Sequence, residues 1–139
     1  MSKLSGLGGA VTVGDSSNSA QAITDDVTNW TLSTPRAVQD VTGVGKSANE
    51  RILLLADISA TLNGVFNPGA NLSHAVFNTV TATSVPRTTV LQPTSGTVPC
   101  LTSNILYTDY QLTRAATGEL TWQVPGVLAD GSVPTWQNS

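Results

Sequence analysis

From Asp57 to Phe66 the chain alternates residue by residue. Ile58, Ala60, Leu62, Gly64 and Phe66 fall on one side, and Ser59, Thr61 and Asn63 on the other. Successive side chains of an extended backbone point to opposite faces, so a period of two writes a long strand with one face in a core. An amphipathic helix would instead space its apolar residues three and four apart. A half-buried strand requires partners of its own kind, and the rest of the chain is searched for them.

Val27–Leu32 is β-branched and aromatic, and Pro35 closes it; Ala37–Thr42 reads as the next strand. Arg87–Gln92 and Val98–Leu101 are short strands divided by Pro93–Gly96, and Ile105–Arg114 with Glu119–Val124 forms a hairpin turning at Thr117-Gly118. Two short helices are expected. One starts at Ser47, an N-cap with Glu50 three residues on as a capping box, and runs to Leu54. The other lies within Leu72–Val80 and carries His74. The 20 threonines and 15 valines agree with high strand content. The fold class is therefore mainly β, an antiparallel β-sandwich or barrel with one or two short flanking helices.

With 139 residues there is one domain. Residues 1–22 are rich in Gly and Ser around Ala10–Val13 and read as an N-terminal arm or edge hairpin rather than core. Residues 23–139 form the β-domain, its C-terminal segment from Pro125 irregular. Charged residues make up 11% of the chain, against roughly 25% in an ordinary soluble domain. A surface of Thr, Ser, Asn and Gln suits being covered by copies of itself. Net charge is −3, and six Lys and Arg are scattered from Lys3 to Arg114, which excludes tight binding to a nucleic-acid backbone. Met1–Gly6 has no apolar run of signal-peptide length and no segment is long enough to span a membrane, so a reducing cytoplasm is expected. Cys100 has no partner for an internal disulfide and reads as a small buried hydrophobe.

Gly43-Val44-Gly45-Lys46-Ser47 has the look of a phosphate-binding loop. The position where that loop needs its first Gly is Asp40, whose carboxylate would repel the phosphates, and no repeated βα units follow; a nucleotide site is rejected. One His and one Cys give no metal cluster. His74 reads as a polar residue at a packing edge, since no Gly-x-Ser-x-Gly elbow accompanies it. No catalytic residue, metal or cofactor is expected. Trp122 alternates with Leu120 and Val124 and belongs to the core, whereas Trp136 is better explained by docking on the body or on a neighbouring subunit.

The order of these pieces resembles that of a known family. Asp26–Ser33, Val38–Gly43, Ser47–Arg51 and Ala60–Asn67, then Thr108–Arg114, Gly118–Trp122 and Asp130–Trp136, together resemble the tail tube (major tail) proteins of long-tailed, non-contractile phages. The resemblance spans residues 23–136 and is one of texture and order. It implies a structural virion protein, assembled in the host bacterial cytoplasm into hexameric rings that stack into a tube. Other tail proteins would meet the tube at its ends, and genomic DNA would pass through without specific binding, repelled by an acidic lumen. Ring closure would join sheets edge to edge. Candidate subunit-interface residues are Val11, Val13, Asn67, Pro68 and Trp136. A head–tail connector, tail terminator, capsid decoration protein or carbohydrate-binding β-domain is left open by the residues themselves.

Overall fold

The computed structural model describes residues 5–96, 98–129 and 131–137. Eleven strands are found among them: β1 (Ala10–Gly14), β2 (Ala20–Ala22), β3 (Val27–Ser33), β4 (Arg36–Asp40), β5 (Arg51–Ala56), β6 (Ser59–Val65), β7 (Arg87–Gln92), β8 (Cys100–Tyr107), β9 (Gln111–Arg114), β10 (Leu120–Leu128) and β11 (Trp136–Gln137). One short helix, α1 (Ser73–Phe77), and a 3-10 turn at Thr24–Asp26 complete the list. The fold is mainly β, as its composition and alternation demanded.

Nine strands make one antiparallel sheet in the order β2-β1-β7-β8-β10-β6-β3, with β11 added to β8 and β9 to β10. Its two ends are joined by only four residues, 23–26, between Ala22 and Val27. Such a link reaches at most about 18 Å. Seven strands laid flat would separate their outer members by roughly 29 Å. The sheet must therefore curl towards a barrel.

β10 shows how the curl is built. Along one side it pairs with β6 over its length, Thr121–Val127 against Ser59–Val65. Along the other it pairs first with β9, through Gln123, and then with β8, from Gly126. Pro125 stands at that exchange of partners. Its carbonyl accepts from the Thr108 amide at 3.1 Å on that side, so its missing N–H interrupts no ladder. A proline therefore sits inside a strand that the sequence reading ended before it.

The core lies inside the curl, around Ile58, Leu62, Phe77, Leu101, Ile105 and Trp122. Trp122 faces Gly64 across the ladder, where a Cβ on Gly64 would come within 2.5 Å of the indole. The indole N–H donates to the Val65 carbonyl at 2.7 Å. α1 closes the barrel with Val76 and Phe77 buried. The buried Arg87 guanidinium donates to the Val76 carbonyl and, at 3.0 Å, to the Thr79 hydroxyl, holding the segment that leaves the helix.

Three expectations change. Ser47–Leu54 is not helical: Arg51–Ala56 is a strand paired with β4. The Glu50 amide takes the Thr42 hydroxyl at 2.8 Å, a cross-strand partner, instead of the Ser47 side chain a capping box requires. Ala10–Gly14 does lie in an edge hairpin with β2, but Val11 and Val13 are buried in the core. Ile105–Arg114 is not one hairpin arm; β8 ends at Tyr107 and β9 begins at Gln111.

Candidate assembly surfaces

β4 and β5 form a separate two-stranded sheet that projects from the barrel. Its base is fixed where the Asp57 amide donates to the Pro35 carbonyl at 3.0 Å. Near its tip, Thr42 receives the Glu50 amide and donates to Asp40 at 2.5 Å. That hydroxyl, with the Thr42 amide, holds the Asp40 carboxyl below its ordinary pKa. The Gly43–Ser47 run is the tip itself, closed by the Lys46 amide on the Gly43 carbonyl and by an exposed Lys46–Glu50 ion pair at 3.2 Å. Exposed pairs of this sort stabilise little.

What marks this arm is where its apolar side chains point. Register pairs Val38 with Leu53 and Gln39 with Ile52, so Val38 and Leu53 share one face and Ile52 lies on the other; a register shift between Arg36 and Val38 then interrupts the alternation along Leu54 and Leu55. All five are exposed, Leu55 to 90%. A strand pair normally hides one face on a core and shows water the other. Here both faces are greasy and both are bare. Two-stranded hairpins are marginal alone, and an exposed apolar ribbon of this kind is a candidate interaction surface.

A second surface is the outward face of β3, β6, β10 and β9. Asn29 stands opposite Asn63, Asn63 opposite Gln123, and Gln123 opposite Gln111. The Asn63 amide donates to the Asn29 carbonyl oxygen at 2.7 Å. Both flanks of this four-stranded patch end without a ladder partner among the described residues: β3 pairs only with β6, and β9 only with β10. β3 carries none of the charged or proline residues that guard a sheet edge.

The residues singled out from sequence disperse. Val11 and Val13 are filled in by their own chain and offer no surface to a neighbour. Asn67 is half-buried and donates to Asp26 at 3.0 Å, while Pro68 beside it is exposed. Asp26, itself buried, also accepts the Ser73 amide at 3.1 Å, so the 67–73 loop and α1 are tied to the barrel. Trp136 docks on β8 opposite Leu101 and leaves 42% of itself exposed. Cys100, paired with Gln137 of this strand across the ladder, is buried and donates weakly to the Gln137 side chain. His74 packs between Phe66 and Tyr110, its Nδ1 3.1 Å from the Tyr110 hydroxyl. Among the described residues no three His, Cys, Asp or Glu side chains gather as metal ligands, and no helix is long and apolar enough to cross a membrane. The two-faced arm was missed from sequence because its strand was read as helix. The run Ile52–Leu55, apolar at four consecutive positions, was the available signal.

No family model and no curated protein matches the chain. Solved structures do. A chain in the tail of an empty gene transfer agent particle, determined with helical refinement and C6 symmetry, matches with a TM-score of 0.71 at 17% identity, over 92% of this chain and 94% of that one. A chain of the native gene transfer agent virion matches at 0.67 and 15%, over 91% and 95%. A chain of the six-fold symmetrised baseplate of the anti-feeding prophage matches at 0.64 and 11%, over 99% and 95%. At these identities the likeness is one of fold, and it extends over nearly the whole of each chain.

Proposed function

We propose that this chain is a tail tube subunit of a phage-type particle, which closes into six-membered rings that stack into a tube for genome passage. The observation that carries the reading is the β4–β5 arm. Covering its five exposed aliphatic side chains would release on the order of 5–10 kcal/mol before ordering costs. Because both faces are apolar, one flat contact cannot cover them; the arm has to enter a cleft between neighbours. A stack of rings offers such clefts at every level. The unpaired edges of β3 and β9 supply the second kind of contact. Edge-to-edge pairing of β3 with the next copy's β9 is heterologous, and a heterologous contact closes into a ring when its rotation allows. The six-fold order is taken from the symmetry of the structures with the same fold. Six four-stranded patches would make a wall of about 24 strands, more than the roughly 16–18 of porins, which already enclose an aqueous channel.

A baseplate component is the second reading, favoured by the match to the anti-feeding prophage baseplate. Copy number separates the two, since a tube subunit recurs in many rings and a baseplate part in few. Electron microscopy of the concentrated protein, or of particles containing it, tests the first reading. Stacked six-fold rings are expected, and a protein that stays monomeric at every concentration rules it out.

A further inference from the structure

Resting on that tube reading, we infer that the register between neighbouring copies is set on the barrel side of the sheet. Leu112 of one copy enters the groove beside Trp30 of the next, and Arg114 comes to face the next copy's Asp25. The direction of the junction follows from topology. β9, β10, β6 and β3 are each antiparallel to the one before, so β9 and β3 of one subunit run in opposite senses. Rotation about a ring axis leaves each strand's sense along that axis unchanged. The next copy's β9 therefore meets β3 antiparallel.

On the barrel side both edges are incompletely covered. Leu112 stands opposite Trp122 in the ladder and shares its inward direction, yet it is 45% exposed where Trp122 is 2%. At the other flank Val27, Trp30 and Leu32 pair with Gly64, Leu62 and Ala60, and all three remain half-buried. Beside Val27 and Trp30 opens a groove of about 530 Å³, lined also by Leu7, Gly9 and Pro93. It borders the edge of β3, so a strand pairing with that edge lays its inward side chains over it. β9 supplies an apolar one in Leu112. With Leu112 opposite Trp30, antiparallel pairing sets Thr113 opposite Asn29 on the outward face and brings Arg114 beside Val27 and Thr28. A slip of one residue would turn Leu112 outward. A slip of two towards Ser33 would take Leu112 off the groove and leave Arg114 on Trp30.

Charge points to the same register. Arg114 is the one exposed cation of the barrel among the described residues, since Arg36, Lys46 and Arg51 belong to the arm and Arg87 is buried. Asp25, in the 3-10 turn before β3, is exposed too. Neither has an ion-pair partner among the described residues of its own chain. Glu119 is closer to Arg114 in sequence, but it pairs with Ala115 and falls on the outward side with Thr121. In the proposed register the long side chain of Arg114 spans the two residues that separate Val27 from Asp25. Such a pair contributes little affinity by itself; repeated at six junctions, it selects one register against others.

Disulfide trapping reads the register. Asn29→Cys and Thr113→Cys, placed in one chain with Cys100→Ala, lie three strands apart within a subunit. That is roughly 14 Å, beyond disulfide reach. Across the junction they are opposite, so oxidised assemblies should give a covalent ladder up to the hexamer on a non-reducing gel. Ser33→Cys with Thr113→Cys, about 13 Å out of register, should remain monomeric. The reverse result, or rings in which neither pair cross-links, overturns the inference. Leu112→Ser and Asp25→Arg should each raise the concentration at which rings form at least about tenfold, with urea midpoints unchanged in the free subunit. Adding Arg114→Asp to Asp25→Arg should bring it back to within about threefold of wild type. A reversed pair that does not recover, or Leu112→Ser assembling as wild type does, also overturns it. Wild-type protein that forms no rings would sink the tube reading itself; rings with the wrong cross-link sink this inference alone.

Discussion

Trp122 and Gly64 stand opposite one another in a ladder, and each is there because of the other. The indole fills the space a side chain at position 64 would take, and a Cβ there would also lie 2.0 Å from the Asp26 carbonyl. Gly64→Ala is therefore expected to cost about 3 kcal/mol through overpacking, and Trp122→Ala about 3–5 kcal/mol through the cavity and the lost hydrogen bond to Val65. Urea unfolding of the unassembled subunit measures both. Tyr107 makes a different kind of statement. Burial pushes its phenol far above the ordinary 10.0, and its hydroxyl lies 2.6 Å from that of Thr89. A folded pKa raised above the unfolded one contributes stability that is complete below pH 10 and is lost as pH rises beyond it. Spectrophotometric titration should show no Tyr107 ionisation near pH 10 in the folded subunit. Its phenolate should appear only with unfolding at more alkaline pH, and the Tyr107→Phe variant should lack that component.

At the scale of elements, the β4–β5 arm separates stability from assembly. Leu53 and Leu55 touch no core, so Leu53→Asp with Leu55→Asp should leave the subunit's unfolding free energy within about 0.5 kcal/mol. The same pair should abolish growth into tubes, followed by light scattering. Hydrogen exchange should find arm amides open in the free subunit and protected in the assembly. The arm was also where sequence reading went wrong, and the reason is physical. Ser47 and Glu50 carry a helix-entry spacing and leucine favours helix, but the backbone of 51–56 finds its partners across the hairpin in Arg36–Asp40. Cross-strand partners are not visible in local propensity. Asp57–Phe66 was legible because alternation is local, and each residue placed on its apolar face is buried or half-buried. Val11 and Val13 failed for the opposite reason: glycines around a short apolar run suggested an arm, while β7 supplies the ladder that draws them into the core. The amide row from Asn29 to Gln111 could be read only one strand at a time, since it exists only once register is known.

Among its described residues the molecule is a barrel left unfinished in two respects, with sheet edges at β3 and β9 that lack a second ladder partner and an exposed apolar arm. Its low charge, 11% of residues, gives it little electrostatic means of keeping copies apart. A monomer so made is a poor end state and a good building block. The fold is shared along nearly its full length with chains from six-fold tail and baseplate structures, and the exposed features are those that a stacked ring would cover. Cryo-electron microscopy of the purified, concentrated protein is the most direct measurement. Six-fold rings in stacks are predicted, with the β4–β5 arm of each subunit enclosed by neighbouring copies and β3 beside the next copy's β9. Rings or filaments in which the arm remains in solvent, or a protein monodisperse as a monomer at millimolar concentration, would contradict it.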